Sequence, residues 1–361
     1  MKTKPKIFSI GGATFDIFIK AHDQAIIGLR SPLDHKEWLC LEYGGKVKID
    51  EVHETYGGGA TNTSVAFSRM GFDAYFIGMV GTEYGDKVLE NLRKEKVHAE
   101  YVSRTTKDKT AFSTILNTFE GDRTVLAYAG ANQYFSADDL PLKALGTADW
   151  IFFNHLTEKK SRIPDELLKI LKKNPKIRLA WNPGLEQIEQ GTQPWKPLLD
   201  RTDLLFMNKE EAVLFARTAF KPAGIKHENP KFHWHIPHSH LPPYADDMAD
   251  VFSTFLKTGV KTVVITDGKN GSQACDRKRV YFCPVETQKK VDTLGAGDAY
   301  ASGFTSAIIL GLDIQDALKC GTINSNSVIS YFGAQRGLLT QKELLKRLQK
   351  IDLMVTSTKL E

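Results

Sequence analysis

Residues 291–304 read VDTLGAGDAYASGF. Gly295, Ala296 and Gly297 carry little or no side chain, so a ligand can come close to their backbone amides. The stretch from Ala299 to Leu310 is helix-compatible. A helix that starts behind such a turn aims free N–H groups and the positive end of its dipole at one spot, which suits a phosphate. Asp298 falls at that spot. A carboxylate beside an anion hole repels phosphate, so stability does not favour it there. It makes sense as a base that takes a proton from a hydroxyl attacking that phosphate. The plainer alternative is a helix start, with Asp298 as cap and the glycines making the turn.

The seven residues Asp292 to Asp298 resemble the C-terminal signature D-T-x-G-A-G-D of the ribokinase-like sugar kinases, the phosphofructokinase-B family. The resemblance implies a three-layer α/β/α sandwich with a mostly parallel central sheet and a small β-sheet lid over the acceptor. It implies ATP as phosphoryl donor and Mg²⁺ on the ATP phosphates. It makes Asp298 the catalytic base, with the amides of Leu294, Gly295, Ala296 and Gly297 holding the developing charge. Several members also bind a monovalent cation such as K⁺ near the first Asp of the signature, which is Asp292 here.

Composition is compatible with this. The chain has 361 residues, 42% hydrophobic and 25% charged, as in ordinary globular proteins. A net charge of +5 is scattered without a long basic block, so nucleic-acid binding is not implied. No run approaches 18 apolar residues, so no membrane span is expected. Asp16 interrupts the first apolar stretch, which reads as a strand and turn rather than a leader. Cys40, Cys275, Cys283 and Cys320 are far apart and read as reduced, buried thiols of a cytoplasmic protein.

Strands and helices alternate along much of the chain. Lys6–Ile10, Ala74–Val80, Trp150–Phe153, Ile177–Trp181, Leu204–Met207 and Val263–Thr266 read as strands, and 163–173, 209–217 and 245–257 as helices between them. From Ala296 to Lys350 the pattern is helical. The β-rich stretches 16–56 (with candidate strands Trp38–Tyr43 and Lys46–Val52) and 110–129 break the alternation. They are assigned to the lid, leaving 1–15, 57–109 and 130–361 as the core. A segment at 218–246 is rich in His and Pro and reads as an insertion loop. Its spacing H-x-H-x-x-H-x-H suits a transition metal, with a solvated loop or a subunit contact as the alternatives.

Further motifs follow the family order. Gly57-Gly58-Gly59 leads into a helix bearing Asn62 and resembles the N-terminal signature, although Glu83 stands where the family usually has Asp. Gly58, Gly59 and Asn62 are therefore expected at the acceptor, together with Asp16, whose carboxylate can accept two hydroxyl hydrogen bonds. His155, at the end of a core strand, is expected to face the acceptor as well. Asn208 and Glu211 resemble the N-x-x-E element and are expected in the outer shell of Mg²⁺, with a capping box as the alternative reading. Thr266, Gly268 and Gly271 are expected at the nucleotide, with the polar helix residues Asn324, Ser325 and Asn326 facing the adenine. Neither a Walker A pattern nor a G-x-G-x-x-G after the first strand occurs.

The sequence thus predicts an ATP-dependent sugar kinase. A nucleoside kinase on the same fold and a non-catalytic sugar or nucleotide sensor are the alternatives. A small sheet cannot bury both faces alone, so a homodimer through the lids is also expected.

Overall fold

The computed structural model describes residues 4–21, 27–30, 37–117, 123–156, 162–217, 248–286 and 290–359. The His/Pro-rich segment 218–246 lies outside them. Nine strands form one sheet. Six are parallel, in the spatial order Asp73–Ile77, Lys6–Ile10, Trp150–Phe153, Arg178–Trp181, Leu204–Asn208 and Thr262–Thr266. Three antiparallel strands, Ser272–Asp276, Arg279–Cys283 and Thr356–Lys359, extend the far edge.

The parallel strands read as nearly continuous apolar runs because both faces are covered. Side chains alternate between the two cores. Phe8, Ile151, Phe153, Leu179, Trp181, Leu205 and Val263 enter one, against helices Ile163–Lys173, Lys209–Arg217 and Met248–Lys257. Ile7, Trp150, Phe152, Ala180, Leu204, Phe206 and Val264 enter the other, against helices Ala296–Ile309 and Ile314–Val328. Three layers result.

Strand Lys6–Ile10 has its sequence successor Asp73–Ile77 on one side and Trp150–Phe153 on the other. The winding direction reverses there. Ligands of open α/β sheets bind beyond the carboxyl ends of the strands near such a point. Gly11, Asn154, His155, Asn182, Asn208 and Thr266 all sit at those ends.

A separate four-stranded sheet has the order Arg123–Tyr128, Ala111–Asn117, Thr14–Ala21 and Ile49–Gly57. A two-stranded ribbon pairs Ile27–Arg30 with Glu37–Cys40. The expected strands at 38–43 and 46–52 therefore shift to 37–40 and 49–57. The expected strand Ala74–Val80 is broken at Gly78, where a Cβ would overlap the Gly11 carbonyl oxygen. Met79–Val80 then pairs with Ser103–Arg104 instead. Cys275, Cys283 and Cys320 are buried free thiols, but Cys40 is only partly buried. Among the described residues, no helix is long and apolar enough to cross a membrane.

Candidate active site

The turn at the heart of the signature is built by a positive backbone angle. Gly295 has φ 74° and caps helix Ala296–Ile309 with no side-chain hydrogen bond. A Cβ there would also strike Ala334. Gly297 is the opposite case, since a Cβ would meet nothing within 4 Å. Its backbone faces an open cleft of about 700 Å³. The first turn of a helix carries N–H groups without intrahelical acceptors.

Asp298 lies inside that first turn, past the cap, so the capping alternative fails. Its Oδ2 accepts a hydrogen bond from Asn62 Nδ2 at 2.8 Å. Burial holds the carboxyl above the usual carboxylate range, while the Asn62 hydrogen bond and His155 pull it back down. A partly exposed carboxylate of this kind, next in sequence to cleft-lining Gly297, suits a proton acceptor. The surface of His155 opens to the same cleft, with protein close around it. Desolvation pushes its pKa down, and the Asp298 charge opposes that shift.

The cleft also takes in Asn182, Gly184, Asn208, Glu211, Thr266 and Tyr300. Asn208 and Glu211 form a reciprocal capping box. Asn208 N donates to Glu211 Oε2 at 2.9 Å, and Glu211 N donates to Asn208 Oδ1 at 2.8 Å. Burial raises the Glu211 pKa, the hydrogen bond from the Asn208 backbone lowers it, and Glu210 and Asp298 raise it further. The box does not exhaust the pair, because each side-chain oxygen accepts more than one hydrogen bond.

A smaller cavity of about 120 Å³ opens on the other side of the glycine turn. It gathers Thr266, Gly268 and Gly271 with Ala296, Gly297 and Tyr300. Gly271 has φ 98°, and a Cβ there would overlap the Cys283 carbonyl oxygen. Asn324 does not reach this cavity. It is fully buried, with Nδ2 donating to the Ala299 carbonyl at 2.8 Å and Oδ1 accepting from Leu339 N at 3.1 Å. Of the three polar residues expected there, helical periodicity turns only Ser325 and Asn326 to the cavity. Tyr300, which the sequence reading missed, lines both cavities and donates through its hydroxyl to Ser272 Oγ at 2.7 Å.

Asp16 sits in strand Thr14–Ala21, paired with Thr55 on one side and Ser113 on the other. It is 3% exposed. Desolvation raises its pKa from 3.8 to about 7, a Ser113 side-chain hydrogen bond lowers it, and the charge of Asp292 raises it. Gly57 is required beside it, because a Cβ there would overlap the carboxylate. Asp292 bridges two loops, Oδ1 accepting from Leu294 N at 3.0 Å and Oδ2 from Gly333 N at 3.1 Å.

Gly58, with φ 96°, is packed against the backbone of Gly12 and Ala13. Gly59 lies against Asn154, so both glycines serve close packing at this entry. Asn62 is nearly buried, and both ends of its amide are engaged, with Asp298 and with Gln335. The structure therefore joins Asn62 to Asp298 directly, while His155 acts on Asp298, and Asp292 on Asp16, through charge alone. Among the described residues no three His, Cys, Asp or Glu side chains cluster as a metal cage.

Comparison with known proteins fits this geometry. The model of the pfkB family carbohydrate kinases matches residues 32–341. A ribokinase of Staphylococcus aureus (strain COL) is 25% identical over 307 residues, 83% of this chain and 91% of that protein. A nucleoside kinase of Methanocaldococcus jannaschii is 22% identical over 307 residues, 84% of this chain and 89% of that protein. The structure of Arabidopsis thaliana ribokinase complexed with ribose and ATP has the same fold, with a TM-score of 0.71 at 18% identity, covering 96% of this chain and 99% of that one. The chain belongs to the pfkB family of carbohydrate kinases.

Proposed function

We propose that the protein transfers the terminal phosphoryl group of ATP to a hydroxyl of a sugar, with Asp298 as general base. The observation that carries this reading is that Asp298 directly follows, on one helix turn, the unobstructed Gly297 backbone that lines the cleft. The acceptor hydroxyl approaches Asp298, which takes its proton as the oxygen attacks phosphorus. The amides of Gly295 and Gly297 stabilise the charge that develops on the transferring group, while the Leu294 and Ala296 N–H groups expected beside them already donate to Asp292 Oδ1 and the Thr293 carbonyl. Thr266, Gly268 and Gly271 hold the nucleotide, with Ser325 and Asn326, but not Asn324, towards the adenine. Asp16, Gly58, Gly59, Asn62 and His155 border the acceptor.

Asn208 and Glu211 offer hard oxygen donors at the cleft wall, which suits the water shell of Mg²⁺. When bound, that ion neutralises charge on the ATP phosphates. Asp292, between two loops beside Leu294, is the proposed neighbour of a monovalent cation such as K⁺.

The small sheet is proposed as a lid. Strand alternation puts Asp16, Phe18, Ser113 and Ile115 on one face and Ile17, Leu126 and Val52 on the other. Val52 and Leu126 are 56% and 57% exposed. An apolar face of this kind supports a homodimer joined through the lids, which close and exclude water from the transfer.

A coupled assay for ADP release, run over a panel of sugars and nucleosides, tests the reading. Release that depends on a sugar supports it. Release with nucleosides alone shifts the acceptor to a nucleoside. Ligand binding with no release by any acceptor points to a sensor.

A further inference from the structure

The base is joined to the protein surface by a chain of side-chain amides. Asn62 Nδ2 donates to Asp298 Oδ2 at 2.8 Å. Asn62 Oδ1 accepts from Gln335 Nε2 at 3.0 Å. Gln335 Oε1 accepts from Asn91 Nδ2 at 2.8 Å. The backbone that carries Gln335 is anchored by Arg69, which donates to the Gln335 carbonyl at 2.9 Å and to the Leu338 carbonyl at 2.8 Å. Glu95 fixes that guanidinium through Nε and NH2 at 2.8 and 2.7 Å. Asn62 and Gln335 are 4% and 7% exposed, so water offers them few substitute partners.

Each amide in this chain has one acceptor end and one donor end. The order is therefore polar, and reversing one member opposes oxygen to oxygen at a neighbour. Asn62 alone has two orientations of nearly equal shape. Only one aims an N–H at the base. The other would set its carbonyl oxygen against the Asp298 carboxylate.

We propose that Gln335 and Asn91 are positioning residues that lock the Asn62 amide in the orientation that donates to Asp298. The proposal rests on Asp298 being the base. Neither residue touches the reacting atoms. Their effect passes through Asn62, whose hydrogen bond stabilises the ionised carboxylate and orients its free oxygen. The other charged groups facing Asp298 are His155, from the end of strand Trp150–Phe153, and Glu211, from helix Lys209–Arg217. Neither belongs to the amide chain, so their contributions stay constant when it is altered.

Asn91→Asp tests the polarity from the partly exposed end of the chain. A carboxylate there only accepts, so Gln335 turns its Nε2 outward and presents its oxygen to Asn62. Asn62 then turns its N–H away from Asp298. The acidic limb of the kcat/KM profile should move up by about 0.5–1 unit, with a loss of about 3–10-fold on that limb and KM for ATP unchanged. Asn91→Leu deletes the contact without adding charge and should move the limb the same way by less. Gln335→Met removes the donor to Asn62 at similar volume and should match Asn91→Asp. If Gln335→Met fails to fold, the two Asn91 variants decide. A lowered melting temperature with the acidic limb unmoved overturns the proposal and leaves these residues structural. Asp298→Asn is measured alongside. Full turnover in that variant refutes the base itself and the proposal with it. Lost turnover there, with an unmoved limb in the others, refutes the positioning role alone.

Discussion

Replacing Asp16 by Asn should change how stability depends on pH, and the change can be worked from the fold. Asp16 lies on a strand flanked on both sides, with a carboxyl pKa raised from 3.8 to about 7 by burial. In the unfolded chain it ionises near the lower value. Between the two values the native protein therefore holds a proton that the unfolded chain releases. Stability from this group is fully present below the unfolded pKa and falls as pH rises towards the folded one. Integrating from pH 5 to pH 8 gives a loss of about 2–3 kcal/mol attributable to Asp16. Asp16→Asn keeps the size and a partner for Ser113 but does not titrate. Denaturant unfolding of both proteins at pH 5, 6, 7 and 8, without acceptor, measures the difference. Relative to the wild type, the variant should gain about 2–3 kcal/mol of stability between pH 5 and pH 8, most of it below pH 7. A stability difference that stays flat across this range would refute the argument that desolvation dominates at Asp16.

Gly297→Ala should fold normally, since its Cβ meets nothing, yet lower kcat by roughly 10–100-fold because the methyl intrudes where the phosphoryl group must sit. Gly295→Ala should instead lower the melting temperature, through its positive φ and its overlap with Ala334; the reverse pattern would place the anion site elsewhere. Glu211→Gln should raise the Mg²⁺ concentration for half-maximal rate while the capping box keeps the helix start intact; an unchanged Mg²⁺ dependence would leave Glu211 a cap alone. Leu126→Asp, on the exposed face of the small sheet, should turn a dimer into a monomer by light scattering; a dimer that survives it would put the interface on another surface.

What the sequence reveals follows from how local each signal is. The glycine turn and Asp298 fall within a few residues, so their relation is fixed by one helix start. The parallel strands are legible because burial on both faces makes continuous apolar runs such as Trp150–Phe153. The outer strands Arg279–Cys283, partly exposed and mixed in polarity, and Thr356–Lys359, largely exposed and polar, give no such signal. Asn324 is polar on a helix near the site, and polarity alone does not say which way it faces; the structure turns it inward to brace Ala299 and Leu339. The contact between Asn62 and Gln335 spans 273 positions, beyond the reach of any motif. Tyr300 escapes notice because an aromatic residue on a buried helix face reads as core, and its hydroxyl bond to Ser272 depends on the folded sheet edge.

The central claim is that Asp298 removes the proton from the acceptor hydroxyl. Single-turnover phosphoryl transfer by Asp298→Asn, measured beside equilibrium binding of ATP, tests it most directly. The account predicts a rate lower by roughly 10²–10⁴-fold with ATP binding retained. Transfer at a near wild-type rate, with the same acceptor, would contradict it.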